Sequence, residues 1–247
     1  MSRLRSILKR VRMPVYCLGD SHIGIFDDDR LRRALPFAHF HTVSVEGATA
    51  SGLPNPNSQS QAGVIFDDTL GRMEATARII VCLGEVDAGF VIWLRTKSAP
   101  TTLLRSFRNA VKNYQTFLTR LAAARRVIVV SAPLPTIRDG DRTSIVGNLR
   151  RELNVSQRDR TRLTLLFNRV MQRFCAARKI IYLPLDAASL DAASGVVAER
   201  LRHPSATNHH YCSEAYAALL AQHLRGTLCC EWLRWLFTPS SRPPVSA

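Results

Sequence analysis

At 247 residues, 46% of them hydrophobic, the chain is long enough to bury a core of its own, and no stretch approaches the ~20 apolar residues that would span a bilayer. Its formal charge of +15 admits anionic partners, but the arginines are scattered through predicted helices with no DNA- or RNA-reading motif beside them, so nucleic acid is not an expected partner. The six cysteines contain no C-x-x-C pair; this argues against a disulfide framework and for a reducing, cytoplasmic setting.

Residues 1–13 read as a basic lead-in, with Arg3, Arg5, Lys9 and Arg10 among Leu4, Ile7 and Leu8. It lacks the uninterrupted apolar stretch of a secretory signal, and peripheral contact with an anionic membrane is left open for it. Five short apolar runs then follow, at 14–18, 41–45, 79–83, 127–131 and 180–183, each the length of a strand buried on both faces. Between them lie amphipathic helices: Leu103, Phe107, Ala110, Val111, Tyr114 and Phe117 before the fourth run, and Leu163, Leu166, Phe167, Val170 and Met171 before the fifth. Segment 52–63 and segment 133–155 read as loops, the second as a long loop or small lid. The aromatic-rich stretch 229–237 reads as a final helix packed on the core, and 238–247 as a disordered tail. The alternation predicts one domain over 14–237, a three-layer α/β/α sandwich around a five-stranded, mostly parallel sheet.

In such sheets ligands bind at the carboxyl ends of the strands. The chemistry-bearing residues fall there. Gly19-Asp20-Ser21-His22 follows the first strand, Gly47 the second, and Gly84-Glu85-Val86-Asp87 the third, while Asn208-His209-His210 precedes the last helix. A histidine beside a serine hydroxyl can take its proton and return it to a leaving alcohol. Gly47 lets a backbone N–H approach a developing oxyanion. Each residue also has a plainer reading: Ser21 as a helix cap, Asp20 as a turn-former, Glu85 and Asp87 as a solvated turn. His203, His209, His210 and Cys212 lack the second ligand cluster that a zinc site needs, and no phosphate-binding glycine motif is present, so neither metal nor cofactor is expected.

The four blocks in this order resemble the SGNH, or GDSL-type, hydrolase superfamily, over roughly residues 14–224. The resemblance implies a flavodoxin-like fold and an ester hydrolase or acyltransferase working through an acyl-enzyme. It implies Ser21 as nucleophile, His210 as general base, the N–H groups of Ser21 and Gly47 as the oxyanion site, and Asp87 as the acid kept in the third block. Asp20, His22, Gly84, Glu85, Asn208 and His209 would line the substrate. The Gly-Glu-Val-Asp block is closest to a bacterial subgroup linked to surface polysaccharides, which extends the expected substrates from small esters to glycan esters.

Two positions depart from the pattern. Val86 stands where the family has the asparagine that donates to the oxyanion, a loss that can cost about 2.7–4 kcal/mol of transition-state stabilisation. Thr207 stands where the family has the aspartate behind the histidine; Asn208 can orient the ring instead, and Glu85, Asp87, Asp186 and Asp191 are candidates for the missing carboxylate. These departures favour an alternative, a catalytically weak binding module of the same fold in polysaccharide assembly.

Overall fold

A computed structural model describes residues 12–98, 102–140, 153–205 and 207–237. Most of the predicted lead-in, the tail and the middle of segment 133–155 lie outside the described residues.

Five parallel strands, β1 (Met13–Gly19), β2 (Ala38–Ser44), β3 (Arg78–Cys82), β4 (Arg126–Val130) and β5 (Ile181–Leu183), form one sheet in the order β2-β1-β3-β4-β5. The order reverses at β1, whose carboxyl end leads into Ser21. All five residues of β3 are buried, as expected for a central strand covered on both sides. Strand β2 begins three residues before the predicted run. As an edge strand it alternates buried Ala38 and Phe40 with exposed His39, so its first half is not a continuous apolar stretch.

Helices cover both faces. One layer holds a 3-10 helix at Ser21–Asp27, α1 (Asp29–Ala34) and the long α7 (Ser213–Leu236). The other holds α2 (Ala62–Arg72), a π-helical turn at Asp87–Val91 running into α3 (Ile92–Ser98), α4 (Leu103–Ala124) and α5 (Gln157–Ala177). The strands feed the two layers alternately: Val15 and Cys17 pack with α7, Leu18 with α2 and α4; Ile80 and Cys82 face one side, Ile79 and Val81 the other. Short α6 (Asp186–Ser189) and an antiparallel pair, β6 (Leu190–Asp191) with β7 (Val196–Val197), follow β5. Elements this short leave no periodic trace in the sequence, and none was predicted there.

Residues 229–237 end α7 and pack on the core through buried Trp232 and Trp235, as expected. On the same helix, just before Trp232, Glu231 is 1% exposed and reaches Arg78 at 3.0 Å, Arg126 at 2.8 Å and Arg234 at 2.6 Å. The pairs tie α7 to the amino ends of β3 and β4, opposite the edge where the candidate residues collect. Among the described residues no helix is long and apolar enough to cross a membrane.

Candidate active site

Gly19 ends β1 against β3. A side chain there would bring its Cβ to 2.4 Å from the Cys82 carbonyl oxygen, so only glycine allows the strands to approach this closely. Asp20 then caps the 3-10 helix, accepting the His22 N–H at 2.9 Å. The tight turn leaves Ser21 half-buried at the carboxyl edge of the sheet.

The loop before α7 brings His210 to it. Ser21 Oγ and His210 Nε2 lie 2.8 Å apart although 189 residues separate them in sequence. Behind the ring, Asn208 Oδ1 accepts the His210 backbone N–H at 2.9 Å and lies 3.0 Å from Nδ1. This double contact settles the proton positions. A backbone N–H can only donate, so the amide must present its oxygen; Nδ1 therefore carries the proton, and Nε2 offers its lone pair to the serine hydroxyl. Burial, then the neighbouring His22 and His209 rings, push the His210 pKa down to about 3, so the imidazole is neutral over a wide pH range. The His209 ring lies against it, tilted by 35° with ring centroids 4.1 Å apart, and the His209 carbonyl accepts the Thr136 hydroxyl. Tyr211 Oη accepts the Leu134 N–H at 2.8 Å. These two bonds fasten the histidine loop to the segment after β4. Neither anchor stands out in the sequence, because Thr136 and Leu134 lie in a segment that reads only as a loop.

Gly47 follows β2 with φ +68, a left-handed conformation that favours glycine, and is exposed. Asp87 does not reach the histidine. It is fully buried, and its two oxygens accept the N–H groups of Ala50 at 2.6 Å and Ser51 at 3.0 Å. Burial raises its pKa while those bonds pull it back. The residue expected as a catalytic acid is instead a clamp that holds the Gly47 loop against the π-helical turn.

Other expected contacts are also corrected. Asp20 is 0% exposed and turns inward to His22 Nδ1 at 3.0 Å, out of reach of a substrate. Gly84 is buried with φ +120, and any side chain there would strike the Phe167 ring; its role is packing. Glu85 is 2% exposed and lies beneath the surface. Asp186, raised to about 6 chiefly by burial, binds Asn168 at 2.7 Å, and Asp191 binds Ser194. The acceptor on Nδ1 is thus Asn208, not a carboxylate. Val86 is half-buried and offers no side-chain donor; Thr207 is exposed and bonds Ser205.

Ser21, His22, Asn208 and His210 share a cleft of about 290 Å³ that Gly24, Ile25, Asp28 and Tyr216 also line. His22 is 5% exposed, with its ring 4.7 Å from that of His210. A larger cleft, about 540 Å³, opens on the other side of Asn208 between Arg138, Glu199, Arg202 and His203. It contains neither Ser21 nor His210, so the smaller cleft is where the hydroxyl can act. Among the described residues no cluster of three or more His, Cys, Asp or Glu side chains has a geometry that would hold a metal ion.

No family model matches the sequence, and comparison with curated proteins finds no significant match. Solved structures do match. A carbohydrate acetylesterase family member from Sinorhizobium meliloti aligns with 89% of this chain and 99% of its own at TM-score 0.60 and 13% identity. A GDSL-like lipase from Bacteroides thetaiotaomicron aligns with 93% and 97% at TM-score 0.58 and 14% identity. An acetyl xylan esterase aligns with 87% and 100% at TM-score 0.56 and 12% identity. The strand order, the layered helices and these alignments over almost the whole length agree: the chain carries the α/β/α fold of the SGNH, or GDSL-type, hydrolases.

Proposed function

We propose that the protein is a serine ester hydrolase, and the observation that carries this reading is the 2.8 Å contact between Ser21 Oγ and the unprotonated Nε2 of His210. Ser21 Oγ attacks the ester carbonyl carbon while its proton passes to Nε2. The carbonyl oxygen takes the negative charge, facing the N–H groups of Ser21 and Gly47. His210 then gives the proton to the departing alkoxide, leaving an acyl group on Ser21. Water, or a second alcohol, repeats the sequence in reverse and releases the acyl group. Asn208 holds the ring and its tautomer, but as a neutral amide it stabilises the transient imidazolium less than a carboxylate would.

The ester hydrolases of the same fold support short acyl esters as the substrate class, and the neighbours named as acetylesterases support O-acetyl groups on glycans as the first to test. A fluorophosphonate probe, followed by peptide mass spectrometry, should label Ser21 and leave Ser21→Ala unlabelled. Absence of labelling on the wild-type protein, with a related esterase labelled alongside, would refute the proposal.

A second reading, a binding module with residual chemistry, is favoured by Val86 and by the amide at Asn208. Restoring the donor separates the two: Val86→Asn in a working esterase raises kcat by up to about 10²–10³-fold, and in a binding module changes nothing.

A further inference from the structure

The two helical layers differ sharply in charge. The layer of α1, α7 and the 3-10 helix carries five arginines against four carboxylates. In the opposite layer, α4 carries Arg105, Arg108, Lys112 and Arg120 and no carboxylate. Its neighbour α5 carries five arginines against the single Asp159, α3 adds Arg95 and Lys97, and α2 carries Arg72 against Asp67 and Asp68. Of the cations on α4 and α5 only Arg160 is buried. Two are neutralised across or along the layer, Arg120 by Asp67 and Arg162 by Asp159. Of the other six, Arg158 acts on Asp159 and Arg169 on Asp186, while Arg105, Arg108, Lys112 and Arg173 form no ion pair among the described residues, and the face keeps a positive excess.

The same layer also bears exposed aliphatic side chains. Val64 and Ile65 on α2, Leu94 on α3, Leu104 on α4 and Leu166 on α5 are 38–52% exposed, five of the seven large apolar side chains exposed among the described residues. On α4, Leu104, Arg108 and Lys112 fall at i, i+4 and i+8; on α5, Arg162, Leu166, Arg169 and Arg173 fall at i, i+4, i+7 and i+11. Each leucine therefore stands in a stripe of cations. The aromatic rings of this layer nearest the surface, Trp93 on α3 and Phe174 on α5, are half-buried, so the fully exposed apolar side chains are aliphatic. Cations interleaved with aliphatic side chains fit a bilayer with anionic headgroups, where the charges meet phosphate and the leucines reach the acyl boundary.

We infer that the α2–α5 layer is a docking face for an anionic lipid surface.

The test is co-sedimentation of the full chain with phosphatidylcholine vesicles, neutral or containing about one-third phosphatidylserine. Each cation at the surface is worth about 1 kcal/mol, about fivefold in partitioning. Arg108→Glu/Arg169→Glu should therefore weaken binding to the anionic vesicles by about 25-fold or more, with Arg33→Glu/Arg225→Glu on the opposite layer changing it little. Both variants keep residues 1–11, so any contribution of that segment cancels. Leu104→Asn/Leu166→Asn should weaken vesicle binding by about tenfold without affecting duplex DNA. Equal loss in both charge variants, no preference for anionic over neutral vesicles, or tighter binding to DNA than to vesicles with the leucine variant silent would each overturn the inference.

Discussion

Asp20-Ser21-His22 and Asn208-His209-His210 close in the same way. In each, the first residue's Oδ1 accepts the backbone N–H two residues on at 2.9 Å and meets Nδ1 of that histidine at 3.0 Å. The two turns lie side by side, their histidine rings 4.7 Å apart. They differ in one group: a carboxylate stands behind His22, an amide behind His210. Fixing a ring and its tautomer needs only an oxygen, and both turns have one. Stabilising a charged ring needs the carboxylate, and that stands behind His22, not behind His210, whose Nε2 meets the serine hydroxyl. The turn at the serine therefore orients His210 while leaving its conjugate acid poorly supported.

The largest effect expected is at the contact itself. Ser21→Ala and His210→Ala should each lower hydrolysis of p-nitrophenyl acetate by about 10³-fold or more, and the double variant by little more than either alone, because the two act as a unit. Independent, multiplying losses would break the pairing. Next, Asn208→Ala removes the orienting oxygen and should cost about 10²-fold in kcat with KM little changed. Asn208→Asp gives the second turn the charge of the first and should raise the rate near pH 8 by about tenfold or more.

The pH profile sharpens the same contrast. His210 serves as base when unprotonated, and its pKa is pushed to about 3, so wild-type activity should hold well below pH 6 and fail only as pH approaches 3. In Asn208→Asp the carboxylate favours the imidazolium, and the acid limb should move towards neutrality. A wild-type limb near 6.5 would contradict the contrast. Stability follows with the opposite partner: the unfolded chain takes up a proton near pH 6.5 that folded His210 refuses, so folding weakens as pH falls from 6.5 towards 3, and His210→Gln should remove that part of the slope. The smallest effect is at the buried turn. Asp20→Asn makes the two turns alike and should cost about 1–3 kcal/mol in urea unfolding, with only a modest change in rate.

The sheet, its central strands and the long helices α4 and α5 were legible because each is a run of one period: β3 is apolar throughout, and α4 repeats its apolar face over six turns. The edge strand β2 blurred because exposure on one side mixes polar residues into it. Ser21, His210 and Asn208 were legible as residue types at strand and helix ends, which topology brings together. The carboxylates were not. Asp20, Glu85 and Asp87 sit in the same loops as the reacting groups, and sequence carries no sign of which way a side chain turns. Whether such an acid faces the cleft or ties down a neighbouring backbone depends on the nearest unpaired N–H, here those of Ala50 and Ser51, thirty-seven and thirty-six residues away.

That tie has a mechanical consequence. With both oxygens of Asp87 spent on one loop, the Gly47 N–H is set in place when the chain folds rather than when substrate arrives. The ordering entropy is discharged in advance; under the proposed function, a carbonyl oxygen would then meet a preset N–H, so reaction should need no loop closure and should run at rates insensitive to solvent viscosity.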